Sequence, residues 1–403
     1  MNALSLAAWS AAFFLSSVMF AHTVALRLLL LLLGAGFAAS AVARDWRSLR
    51  ILPPIWAPFV LWAAWAALSL LWSEEPARSR KEFTNEIVYV AFALWVCYIA
   101  AQARDAVRIV LPVAAAAATL ACGFALYYWL AGFEAIYEGW HGGPGSHSSA
   151  LLTFMPCAIA LGWYASRAHW PRTLWLTCLC LCALFLVAAY TTQNRTIWLG
   201  FALEALVIGA LLRNRRPFSA SPWTKLILTG VTVAIVAAAV AMTLRVQGER
   251  QLTGGVLAFE KDPRLAIWPK VLEFVKQRPL TGYGFGHGLL RGSLTAETND
   301  PQAWHAHNLF LEFALQLGLP GVVLLLLLLG ATLREGWRFA FDRDDAAAAC
   351  GIALIAIVIG MVVRNMTDTL WTRHNALFYW GVVGLLLGWG ERYGASVIRP
   401  SRS

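Results

Sequence analysis

The chain has 403 residues, of which 59% are hydrophobic and only 13% charged, with a formal net charge of +10. Soluble domains carry about 25% charged residues, so this composition excludes an ordinary soluble protein and implies an integral membrane protein. The basic excess forms no aromatic-interleaved patch and no fold signature for nucleic acid, which leaves acidic membrane lipids and anionic substrates as its partners.

Crossing a hydrocarbon core about 30 Å thick takes roughly 17 to 25 apolar residues. Twelve stretches of that kind lie near residues 5–22, 24–43, 54–72, 87–103, 107–131, 149–166, 173–190, 196–212, 224–244, 309–333, 347–363 and 375–391. They predict an all-α polytopic protein, one membrane domain over 1–403, with no internal repeat and no soluble domain at either end. The first stretch has no Lys or Arg before Arg27, unlike a secretory signal peptide, and reads as a retained span. Basic residues at Arg44, Arg47, Arg50, Arg104, Arg108, Arg167, Arg172, Arg213, Arg215, Arg216, Lys225, Arg334, Arg338, Arg343, Arg392, Arg399 and Arg402 fall on one side. By the positive-inside rule that side is cytoplasmic and holds both termini, which fits a bacterial inner membrane. All seven cysteines sit inside apolar stretches and read as packing residues.

Along the chain, the first charged outer loop carries Arg78, Arg80 and Lys81, additional phosphate contacts in kind, with Glu74, Glu75, Glu82 and Glu86 at hand to neutralise them. The segment 133–147 is rich in Gly and aromatic residues, a composition suited to lining a substrate's path. Thr191-Thr192-Gln193-Asn194-Arg195-Thr196 is a very short outer turn that pins Arg195 at the bilayer surface, either as a grip on a lipid phosphate or as a snorkelling anchor. Glu204, nine residues further on, stands near mid-membrane as a transporter's coupling carboxylate or a neutral acid within the bundle.

Residues 245–308 form the one loop long enough to fold outside the bilayer, an embedded periplasmic subdomain with short amphipathic helices. Asp262 caps a helix there and Pro263 opens it. Leu265, Trp268, Leu272 and Val275 recur at helical spacing, which suits a helix lying among the lipid headgroups with a kink near Pro269. Arg264, in its first turn, has free backbone N–H groups beside it, an arrangement that holds phosphate. The Gly282-Tyr283-Gly284-Phe285-Gly286-His287-Gly288 run resembles a dinucleotide loop only superficially, has no parallel strand before it, and reads as a turn.

Seven of the eight histidines map to the outer side; His169 is the exception. Outside a bacterial membrane there is no ATP and no nucleotide-sugar, so a transfer reaction there needs a donor already activated on a lipid or phosphate. His305-Ala306-His307-Asn308 carries the chemistry: Asn308 is an N-cap for the apolar run Leu309–Leu317, which Gly318-Leu319-Pro320-Gly321 interrupts. The helix terminus after His307 disfavours imidazolium, which suits a general base, and His305 supports it. The competing roles are a two-histidine metal site, which lacks a paired ligand motif, and plain capping and anchoring of the helix. Asp368 is a carboxylate placed to support an outer-face base. Asp342-Arg343-Asp344-Asp345 has the acidic spacing of metal-dependent transferases but falls on the cytoplasmic side beside Arg338, so it reads as a solvated turn. The chemistry expected is therefore free of metal and cofactor.

His307-Asn308, nine intervening residues, then Gly318 and Gly321 resemble the motif of the bacterial O-antigen ligases, the WaaL type, and Arg195 and Arg264 match in kind and placement. O-antigen polymerases and protein O-oligosaccharyltransferases share much of this pattern. The resemblance implies a periplasmic-face glycosyltransferase that moves a preassembled O-antigen glycan from undecaprenyl diphosphate to a sugar hydroxyl of the lipid A-core. His307 then deprotonates the acceptor, Arg195 and Arg264 hold the diphosphate, and the anomeric centre inverts. A lipid-linked glycan flippase or transporter is the alternative from another class, with Glu204 as its best argument.

Overall fold

The computed structural model describes residues 2–132, 143–168, 170–213, 215, 230, 263–298, 305–369, 371 and 373–394. Most of the stretch at 224–244, all of 245–262 with Asp262, segment 133–142 with His141, and His169 lie outside them. The described chain is helical throughout: α1 (Ala3–Val18), α2 (Val24–Asp45), α3 (Trp56–Ser69), α4 (Pro76–Ala100), α5 (Ala106–Leu130), α6 (Gly143–Arg167), α7 (Arg172–Thr191), α8 (Arg195–Arg213), α9 (Pro263–Gln277), α10 (Arg291–Thr298), α11 (Leu309–Ala340), α12 (Asp345–Asn365) and α13 (Arg373–Gly394). Eight of these, α2, α4 to α8, α11 and α12, are long and apolar enough to cross a membrane, and α1 and α3 are shorter apolar helices. Every expected stretch except 224–244 falls on one of the thirteen. The protein is a helical membrane protein.

At the centre stands α12, buried along nearly its whole length and packed against α6, α8, α11 and α13. Its 21 residues span roughly 31 Å at about 1.5 Å each, the thickness of a hydrocarbon core. The Asp344 carboxylate starts it by accepting from the Ala346 and Ala347 N–H groups at 2.8 and 3.0 Å. The neighbouring Asp345 pairs with Arg167 at 3.3 Å and Arg215 at 3.1 Å. So the acidic run is a helix cap and an ion-pair centre rather than a solvated turn.

The chain turns helical at Pro76, earlier than its hydropathy suggests. Glu82 is buried just before a π turn at Thr84–Val88 within α4, and Glu86 is buried inside that turn. Glu82 pairs with Arg373 at 3.4 Å and Glu74 with Arg278 at 2.9 Å, so only Glu75, 3.6 Å from Arg78, serves the loop cations as expected.

Helix α11 breaks at Gly318, where φ is 67°. The last carbonyls of its first half, freed by the break, are all taken: Leu315 accepts from the Tyr283 N–H at 3.0 Å, Gln316 from the Gly284 N–H at 2.9 Å, and Leu317 from the Trp65 indole at 2.9 Å. A Cβ at Gly318 would stand 2.6 Å from the Leu280 carbonyl carbon, so this position tolerates only glycine. The glycine-rich run 282–288 is thus a strap across the end of a half-helix. In α9 the buried face is Ile267, Val271 and Val275, while Leu272 is exposed, so the face that packs is offset from the one read in the sequence.

Candidate active site

Helix α11 begins where Asn308 caps it, its side-chain oxygen accepting from the Phe310 and Leu311 N–H groups at 3.0 and 3.1 Å. The Asn308 amide donates to the Met366 carbonyl at 3.0 Å and so ties this helix start to the far end of α12. His307, one residue earlier, has φ of 46°, a left-handed backbone that costs a non-glycine residue energy and is held by its surroundings. That conformation brings its Nδ1 to 3.7 Å from Asp368 Oδ1.

Asp368 in turn lies 3.2 Å from Arg364 Nη2, one helical turn back, and Arg364 Nε donates to Ser148 Oγ on α6 at 2.9 Å. Arg364 is 2% exposed whereas His307 and Asp368 reach the surface, so the line runs from a buried guanidinium to an accessible imidazole. Burial pushes the Asp368 carboxyl up, but the neighbouring His307 imidazole and the Arg364 charge outweigh it and hold the group below the usual carboxylate range. It stays ionised and keeps accepting from its neighbours.

A second layer lies behind. The His305 ring packs against that of His307 with centroids 3.7 Å apart and planes tilted by 39°, and its Nδ1 accepts the His307 backbone N–H at 3.1 Å. Burial, with His307 and His287 adding to it, lowers the His305 pKa to about 3, so this ring is neutral with its proton on Nε2. Glu312, buried in the first turn of α11, meets His287 Nδ1 at 3.1 Å, the Ala306 N–H at 2.9 Å and the Gln316 amide at 3.0 Å. One carboxylate thereby fixes the backbone between the two histidines.

The arginines come in on other elements. The Trp268 indole donates to the Ala306 carbonyl at 3.0 Å, docking α9 against the histidine loop. Arg264, one turn earlier on α9 and half-buried, is close enough for its charge to act on Arg364. Arg195 is the first residue of α8, whose start Asn194 caps by accepting from the Thr196 N–H at 3.0 Å; the Thr196 hydroxyl is 3.3 Å from that of Thr367. Three helix starts thus face one cluster. Arg80 and Lys81 lie on the exposed face of α4, opposite the buried Ser79 and Glu82.

His305, His307 and Asp368 bring ligand atoms within 4.8 Å of one another. His305 Nδ1 and Asp368 Oδ1 and Oδ2 already take hydrogen bonds from the His307 N–H, the Thr369 N–H and Arg364, which suits a proton-handling cluster better than a metal cage.

The structure brings His305, His307, Asn308 and Asp368 together, and Arg364, Ser148, His287 and Glu312, which the sequence does not single out as site residues, join them. Arg364 and Asp368 stand at the i, i+4 spacing of a helix pair, and Glu312 is a lone carboxylate four residues into an apolar run; both signals were present. Ser148 is legible only in three dimensions. None of the curated proteins matches the chain. Residues 180–326, which include Arg195, Arg264, His307, Asn308, Gly318 and Gly321, match the model of the family described as O-antigen ligase.

Proposed function

We propose that the protein is an O-antigen ligase that moves a preassembled glycan from undecaprenyl diphosphate to a sugar hydroxyl of the lipid A-core. The observation that carries this reading is the His307–Asp368–Arg364 line beside helix starts bearing Arg195 and Arg264. His307 takes the proton of the acceptor hydroxyl, and the oxygen attacks the anomeric carbon in line. The bond from that carbon to the diphosphate oxygen breaks, and undecaprenyl diphosphate leaves with the electron pair, its charge met by Arg195 and Arg264. Attack from the face opposite the leaving group inverts the anomeric centre. Asp368 orients the imidazole and stabilises the imidazolium as it forms, and neither step calls for a metal or a nucleotide.

The same reading gives the chain twelve spans, cytoplasmic termini and a periplasmic subdomain at 245–308, with Arg78, Arg80 and Lys81 as outer phosphate contacts. Deleting the gene in its host and resolving lipopolysaccharide by gel tests it. A ligase leaves bare core and O-antigen retained on undecaprenyl diphosphate, restored by the wild-type gene and not by a normally expressed His307→Ala variant. Core carrying a single repeat marks a polymerase instead, and an unchanged ladder overturns both.

A further inference from the structure

At the end of the bundle opposite Arg364, α1, α5, α6, α12 and α13 enclose a cavity of about 260 Å³. It is larger than the roughly 150 Å³ apolar cavity known to hold a benzene-sized guest, and its walls are aliphatic and aromatic. Phe154 and Phe378, with ring centroids 5.1 Å apart, form its floor on the side toward the histidine cluster, so it is separate from that site.

Its mouth has a different character. Arg104 and Arg108 line it together with Tyr164, Trp170 and Tyr393, and Trp170 and Tyr164 pack edge to face at 5.6 Å. Such an aromatic pair beside arginines is the composition of a headgroup layer. The carboxylates nearby are committed: Asp105 accepts from the Ser5 hydroxyl at 2.9 Å, Asp345 pairs with Arg167 and Arg215, and Glu391 with Arg50 and Arg338. Arg104 and Arg108 are exposed, and among the described residues they make no ion pair. An apolar cavity whose mouth carries two uncompensated guanidinium groups complements a molecule with a long apolar chain and an anionic head.

We infer that this cavity holds one acyl chain of an anionic phospholipid, with the lipid phosphate at Arg104 and Arg108. The site is independent of the transfer reaction and stands or falls without it. Native mass spectrometry of the full chain, delipidated and then titrated with palmitoyl-oleoyl phosphatidylglycerol or the matching phosphatidylcholine, tests it. The wild type retains a single phosphatidylglycerol under conditions that strip phosphatidylcholine. Arg104→Gln combined with Arg108→Gln, at an exposed surface, weakens that retention at least tenfold, and Ala114→Phe, which fills the cavity from α5, removes it. Equal retention of the two lipids, or retention that neither variant alters, means an ordinary annular lipid and overturns the inference.

Discussion

His307 keeps a left-handed backbone between two neighbours, the tilted His305 ring packed against it and a carboxylate at 3.7 Å. Asp368→Asn removes the charge that orients and stabilises the imidazole while keeping its shape. A base that loses its orienting carboxylate drops by about 10²-fold to 10⁴-fold in turnover, and initial rates of glycan transfer with unchanged thermal unfolding check that figure. Arg195→Lys and Arg264→Lys keep charge but lose the planar fork that grips a diphosphate, so each reduces transfer despite normal expression; near-normal rates in both remove these residues from the mechanism. His305 supplies a pH signature. Its folded pKa of about 3 lies below the ordinary value near 6.5, so on acidification the unfolded chain takes up a proton that the folded chain refuses. Stability therefore falls as pH drops below about 6.5, by about 2 kcal/mol at pH 5, and His305→Gln flattens that decline in melting curves taken between those values.

The broken helix α11 shows what elements contribute. Its first half points its N-terminal end at His307 and Asp368, and its C-terminal end is closed by Tyr283, Gly284 and Trp65. Gly318→Ala demands a left-handed alanine and drives a Cβ into Leu280, at a cost of at least about 1 to 2 kcal/mol, seen as a lower melting temperature and a tilted histidine loop with reduced transfer. The motif was legible at this level because a cap before an apolar run and glycines within it are local signals. What locality cannot carry is pairing across the fold. Ser148 reaches Arg364 over 216 positions, Trp268 reaches Ala306 over 38, and Glu86 is buried within a π turn that no hydropathy period announces. In α9 the amphipathic period was readable but its phase was not, since Leu272 and Val271 differ only in which neighbour each meets.

At the scale of the molecule, the described titratable groups gather mostly at the two ends of an apolar bundle, and Glu204 lies between them. It is buried against Gly360 on α12, where a Cβ would meet its carboxylate, and among the described residues neither of its oxygens has a hydrogen-bond partner. A transporter that drives substrate with this proton site stops on Glu204→Gln, whereas a transferase whose chemistry lies at His307 keeps its rate; transfer assays on that variant separate the two. Chelation is a parallel check, because transfer that handles protons with His307 and charge with arginines persists in EDTA. The most direct measurement is the initial rate of glycan transfer from undecaprenyl diphosphate-linked O-antigen to lipid A-core by the reconstituted protein, wild type against His307→Ala. A loss of about 10³-fold or more in a variant that melts normally is the expected result, and a rate close to wild type contradicts the assignment of His307 as the base.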